Sequence, residues 1–86
     1  MSTEQASLTN KFRLANHLTQ VQESLITAQG TMIYWLDEMV AAIADYDEER
    51  GQERMVECRG KVAEYETRIS DLEADRTASQ LLLMAA

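Results

Sequence analysis

The chain has 86 residues, of which 45% are hydrophobic and 27% are charged, the balance of one folded domain rather than of a disordered chain. Its net charge of −7 repels nucleic-acid phosphates and anionic membrane surfaces, so we expect no direct nucleic-acid binding and no membrane binding. No window of about 20 residues is predominantly apolar, which excludes a membrane-spanning helix.

The composition favours an all-α fold, because the chain has no proline and only three glycines and is rich in good helix formers. Cys58 is the single cysteine, so an internal disulfide cannot form. The polar first residues carry no signal-peptide pattern. Together these features predict a cytoplasmic protein, either of a cell or of an infected host.

The first predicted element is a long helix over about residues 8–48. Its uncharged residues alternate at spacings of four and three, which is typical of a helix that buries one stripe against another helix. We call this stripe the first seam of helix 1; it comprises Leu14, Leu18, Val21, Leu25, Ala28, Met32, Trp35, Met39, Ala42 and Tyr46. Its spacing continues through Gly30 without interruption.

A second apolar stripe lies on the same predicted helix, one residue offset from the first seam. Its members are Ile33, Leu36, Val40 and Ile43, preceded by Ile26, and the offset corresponds to a rotation of about 100°. A helix that is apolar over most of its circumference is buried on several sides. The predicted oligomer or partner interface is therefore Met32, Ile33, Trp35, Leu36, Met39, Val40 and Ile43. For Trp35, core packing and a binding hot spot both remain open.

A turn is predicted near residues 49–53, because the segment 45–54 contains seven charged residues of ten and includes Gly51. We favour Gly51 closing the first helix. In an alternative, Asp45 or Asp47 caps the second helix. The third possibility is one continuous helix with a stutter.

The second predicted helix covers about residues 53–83 and has one seam: Met55, Cys58, Val62, Tyr65, Ile69, Leu72, Arg76, Ser79 and Leu83. Folding back from the predicted turn places Met55 beside Ala42 or Ile43, and Val62 beside Trp35. The outer face is charged, and its acids form a candidate partner face: Glu57, Glu64, Glu66, Asp71, Glu73 and Asp75. Arg76 is the charged misfit in the seam, and the apolar tail from residue 81 suggests a further contact between chains.

No motif in the sequence predicts a catalytic, cofactor or metal site. The acids at 45–49 resemble the start of a calcium-binding loop, but its required glycine and final glutamate are replaced by Arg50 and Val56. His17 has no second ligand at a metal-binding spacing. Cys58 occupies a seam position, where a cysteine packs as a small apolar group.

The sequence thus predicts a long two-helix antiparallel hairpin, coiled-coil-like and forming one domain over residues 1–86. We expect it to assemble into a homodimer or a higher helical-bundle oligomer, because two helices alone bury little surface. The expected function is non-enzymatic binding of another protein. Small acidic helical proteins of this kind include phage-encoded inhibitors of host systems and secretion chaperones. The alternatives are a structural subunit whose oligomerisation is its function, and a nucleic-acid mimic that occupies a basic groove.

Overall fold

Two long helices form an extended antiparallel hairpin in the computed structural model, which describes residues 3–86. Helix α1 spans Thr3–Ala44 and helix α2 spans Glu49–Ala85. The hairpin measures 69 × 15 × 14 Å and has a radius of gyration of 19.6 Å, against about 12 Å for a compact domain of this length. The predicted all-α hairpin is confirmed for the described residues, which include no strand. Residues 1 and 2 of the predicted domain lie outside them.

The core of the hairpin is a narrow line of small and medium side chains between the helices. Every first-seam residue from Leu14 to Ala42 is buried or half-buried, whereas Tyr46 lies beyond the end of α1 and is exposed. The predicted seam of α2 is buried or half-buried from Met55 to Leu83. Only a few residues are fully covered: Val21, Leu25, Ala28, Ala42, Cys58 and Ser79, with Gly51 near the turn. Helical spacing therefore identified the faces that meet.

The turn lies earlier than predicted. Helix α1 ends at Ala44 and α2 begins at Glu49, so the prediction of a turn at 49–53 is wrong. In the observed turn the Tyr46 amide donates to the carbonyl of Ile43 over 3.2 Å, and the Glu48 amide donates to that of Asp45 over 3.0 Å. Glu48 is the extended N-cap residue of α2, and its side chain makes no capping hydrogen bond. Neither predicted acidic cap is the N-cap residue.

Gly51 explains the misplaced turn. It is a buried residue in the first turn of α2, and a Cβ atom there would overlap the backbone carbonyl of Asp45. No glycine among residues 3–86 has a positive φ, so Gly51 does not close a helix in the left-handed conformation. It is required because the turn backbone packs directly against α2.

The helices also pair about five residues, or one and a half helical turns, out of the predicted register. His17 bonds Asp75 and Glu38 bonds Arg54, so each α1 residue faces an α2 residue nearer the turn than expected. The shift follows from the earlier turn, because the length of the connection sets which residues lie opposite each other. A Cβ on Gly60 would meet nothing within 4 Å, so no close neighbour requires a glycine at this position of α2.

Candidate protein-binding surface

The two sides of α1 differ in chemistry, and the residues around Met39 show how. Met39 lies in the first seam and faces α2, while Glu38 and Val40 lie about 100° to either side of it. Glu38 forms an ion pair with α2, but the side chain of Val40 is exposed. We call these the ion-pair side and the uncharged side of α1.

Arg54 joins the helices on the ion-pair side near the turn. Its guanidinium donates to Glu38 over 2.7 Å and to Glu57 over 2.9 Å. These two carboxylates raise the pKa of Arg54 above its already high ordinary value. The same guanidinium lies 5.2 Å from the ring centroid of Trp35, and the ammonium of Lys61 lies 6.0 Å from it. The half-buried indole is thus covered by cations of α2.

A second polar link on this side joins His17, Asp75 and Ser79 near the open end of the hairpin. Nε2 of His17 lies 3.0 and 3.1 Å from the two carboxylate oxygens of Asp75, and a carboxylate only accepts, so the imidazole N–H donates. The buried Ser79 hydroxyl also donates to Asp75, over 3.0 Å. The bonds from His17 and then Ser79 lower the pKa of Asp75. The serine contacts the carboxylate and not the imidazole, so these groups lack the order of a hydrolase triad.

The uncharged side of α1 carries large apolar side chains that nothing in the hairpin covers. Exposed fractions reach 71% for Phe12 and Ile26 and 66% for Val40. At alternating spacings of four and three, the exposed stripe extends along nearly all of α1 without a charged residue. We call it the α1 strip: Leu8, Phe12, Ala15, Thr19, Gln22, Ile26, Gln29, Ile33, Leu36, Val40 and Ile43.

The seven residues of the interface predicted from the sequence lie on two different faces of α1. Met32, Trp35 and Met39 are half-buried first-seam residues that face α2. Ile33, Val40 and Ile43 are exposed on the α1 strip, and Leu36 there is half-buried. The second stripe alone is therefore free for a partner.

The α1 strip is longer than the stripe recognised in the sequence. Leu8 and Phe12 extend it towards the start of α1, and together with Lys11, Ala15 and Leu83 they line a small apolar cavity at the open end of the hairpin. The signal that identifies this half is the absence of charge at the four-and-three positions. Thr19, Gln22 and Gln29 interrupt the apolar pattern there, and so they hide the continuity of the stripe.

The predicted acidic face of α2 is less uniform than the sequence suggested. Glu57 pairs with Arg54, and Glu64 lies 3.5 Å from Lys61. Asp75 is half-buried and bonded to His17 of α1, so it does not belong to a free outer face. Of the six acids in the predicted face, Glu66, Asp71 and Glu73 are exposed and form no ion pair within residues 3–86.

The other features singled out in the sequence were Cys58, Arg76 and the apolar C-terminal tail. Cys58 is fully buried, in agreement with its seam position. Arg76 is half-buried, and none of the ion pairs among the described residues involves it. In the C-terminal tail, Leu81, Leu82 and Met84 are exposed, whereas Leu83 is half-buried against α1. The tail thus adds apolar surface at the open end.

No family model matches the chain, and comparisons with curated proteins and with solved structures gave no match. Within residues 3–86, no three His, Cys, Asp or Glu side chains lie close enough together to hold a metal ion. Neither α1 nor α2, as described, combines the length and apolar character that a bilayer-crossing helix requires.

Proposed function

We propose that this protein is a non-enzymatic helical module that acts by protein–protein binding through the α1 strip, with self-association as part of that activity. The observation that carries the proposal is the exposure of one charge-free stripe along a helix whose other stripe is already packed. A helix with two stripes at coiled-coil spacing contacts two neighbours. The hairpin supplies only one of them.

The amount of exposed apolar surface supports this proposal. Six strip residues are large and more than half exposed: Leu8, Phe12, Ile26, Ile33, Val40 and Ile43. At roughly 100 Å² left in water on each, they present on the order of 600 Å² of apolar surface. The largest apolar patch on a typical monomer is about 300–600 Å², and each partner of a standard interface contributes about 800 Å². The summed apolar area of the strip is therefore at the upper end of the range for a monomer and approaches what one partner contributes to a standard interface.

The cellular role that fits such a module is that of a small accessory protein, such as an inhibitor or a chaperone, which works by occupying a helical surface of its target. Nucleic-acid mimicry has less support, because a mimic presents a continuous row of acids. On α2 the cations Arg54 and Lys61 neutralise neighbouring acids, and Arg68 lies over the ring of Tyr65 at 5.9 Å. The strip is therefore the better candidate surface.

Capture of binding proteins from a lysate tests the proposal, with the parent, Val40→Asp and Ala41→Asp immobilised separately. Val40 lies on the α1 strip, whereas the exposed Ala41 lies about 100° around α1 on the ion-pair side. We expect Val40→Asp to lose the proteins that the parent and Ala41→Asp retain. A third variant with Glu66, Asp71 and Glu73 changed to lysine should retain them, because these acids belong to α2 and are not part of the α1 strip.

Loss of capture by the lysine variant, with Val40→Asp unaffected, would contradict the proposal and favour the acidic face. If no variant captures a partner and the parent forms open-ended polymers, oligomerisation is itself the function. Far-UV circular dichroism of each variant confirms that the helices are retained.

A further inference from the structure

We infer that the α1 strip packs against the same strip of a second copy, with the two α1 helices parallel and in register. This inference rests on the proposed function, because it names the occupant of the proposed binding surface. In the resulting dimer the two α1 helices lie at the centre and an α2 helix lies on the outside of each, and the row of four helices is bent at each α1 because the strip lies about 100° from the face that meets α2.

In a parallel, in-register dimer, each residue of the strip lies at the same level as the identical residue of the second copy. Phe12, Ile26, Ile33 and Val40 therefore each lie opposite an identical apolar side chain. β-Branched residues recur every seven positions along the strip, at Thr19, Ile26, Ile33 and Val40. In coiled coils, β-branched residues at one of the two apolar positions of each heptad favour two-stranded parallel pairs. A reversed pairing places these residues opposite the other class of strip position, which includes Gln22 and Gln29.

The polar members of the strip are also compatible with self-pairing. The Thr19 hydroxyl donates to the carbonyl of Ala15 over 3.0 Å, so it is hydrogen-bonded within α1 and its methyl group can be covered without leaving an unpaired donor. Gln22 and Gln29 each meet an identical amide, and an amide can donate to and accept from its counterpart. Polar pairs of this kind fix the register of a coiled coil.

Charge decides between the parallel and the antiparallel arrangement. Glu66 and Glu73 follow the α2 seam residues Tyr65 and Leu72, which places both acids on the same side of the hairpin as the strip. An antiparallel pair of α1 helices stacks α2 on α2, so these acids, together with Arg59 on the same side of α2, enter the interface between subunits. A two-fold axis along the helices instead leaves both α2 helices at the outer edges, in water.

The surface available also suits a second copy. The strip runs without a charge from Leu8 to Ile43, about 50 Å of helix at 1.5 Å per residue. A partner that covers it must present a helix of that length with the same spacing and equally free of charge. The chain itself contains such a helix. An interface formed from one patch on both subunits closes as a two-fold dimer.

Disulfide cross-linking tests the orientation and the register. In a Cys58→Ala background, single cysteines replace Thr19, Val40 or Ala41. Thr19 and Val40 are 21 residues apart, the same seam position three heptads away, whereas Ala41 lies on the ion-pair side. We expect mild oxidation to link most of the Thr19→Cys and Val40→Cys chains into dimers, and to link Ala41→Cys at least tenfold less.

In an antiparallel dimer, Thr19 and Val40 each lie far from the same residue of the second copy. If the protein is helical and dimeric but neither strip position cross-links, the inference is overturned. A monomeric parent would overturn it as well. If that monomer captures other proteins through Val40, the proposed function survives while the second copy is excluded as the occupant. If the cross-links form but no other protein is captured, this inference holds and binding of a different protein is excluded.

Discussion

The ion-pair side and the uncharged side of α1 are built from adjacent residues of the same helix, yet they have opposite chemistry. On the ion-pair side, His17 and Glu38 are 21 residues apart on α1, and their partners Asp75 and Arg54 are 21 apart on α2. Both links therefore lie on one face, about six helical turns from each other. Within residues 3–86, no ion pair joins the uncharged side of α1 to α2, and this side presents exposed isoleucines. This difference indicates that only one of these two sides of α1 is adapted to face water.

We expect the largest loss of stability from truncating Leu25, a first-seam side chain that lies between the two sides of α1. Leu25 is buried in the first seam, while the next residue, Ile26, is exposed on the α1 strip. We expect Leu25→Ala to lower the free energy of unfolding by about 2–4 kcal/mol, because it removes core contacts and leaves a cavity. Urea unfolding followed by circular dichroism measures the change.

Ile26→Ala is the matched control for Leu25→Ala. Its effect should be small in dilute protein and should grow with protein concentration, since association stabilises the folded state by mass action. Equal losses for both variants at every concentration would show that the strip is not an association surface.

Gly51 packs against the turn, and the turn sets which residues of α1 and α2 lie opposite each other. Gly51→Ala should lower the free energy of unfolding by about 1–3 kcal/mol, because its methyl group overlaps the Asp45 carbonyl and the backbone must shift. The control is Gly60→Ala, where the added methyl group meets nothing and removal of a mid-helix glycine raises stability by about 0.5–1 kcal/mol. Thermal unfolding of the two variants should therefore shift in opposite directions. Stabilisation by both would place the turn elsewhere.

The smallest expected effect concerns pH on the ion-pair side. His17 and Ser79 lower the pKa of Asp75 below its ordinary value of 3.8. A lowered carboxylate pKa stabilises the folded state above that ordinary value, and the contribution disappears as the pH falls through the folded-state pKa. Asp75→Asn should therefore be less stable than the parent near neutral pH, with the difference shrinking below about pH 4. A difference that is constant from neutral to strongly acidic pH would exclude this electrostatic contribution.

The sequence predicted the faces of the helices but not how far each extends. Spacing within one helix is local information, so the first seam of α1 and the seam of α2 could be identified from residue order alone. The turn depends on a contact between Gly51 and the Asp45 backbone, six residues apart along the chain. A glycine among charges predicts a helix end and a close backbone approach equally well, and the register error followed from this ambiguity.

Only part of the candidate site could be predicted, because residue spacing along one helix shows local patterns and not contacts between helices. Ile33, Val40 and Ile43 were recognised because they are consecutive large apolar residues at helical spacing. Leu8 and Phe12 were missed, because the polar residues between them and Ile26 break the apolar pattern. Asp75 was assigned to the outer face, since nothing in the sequence shows that His17, 58 residues away, bonds to it. Long-range pairs of this kind depend on the register.

Sedimentation equilibrium of the parent, Val40→Asp and Ala41→Asp tests most directly whether the α1 strip is the association face. At micromolar concentration the parent and Ala41→Asp should both have twice the chain mass of 9.8 kDa. Val40→Asp should sediment as a single chain, because each association would bury an unpaired carboxylate. A parent that remains at 9.8 kDa throughout the concentration range, or an Ala41→Asp variant that dissociates as readily as Val40→Asp, would contradict the account.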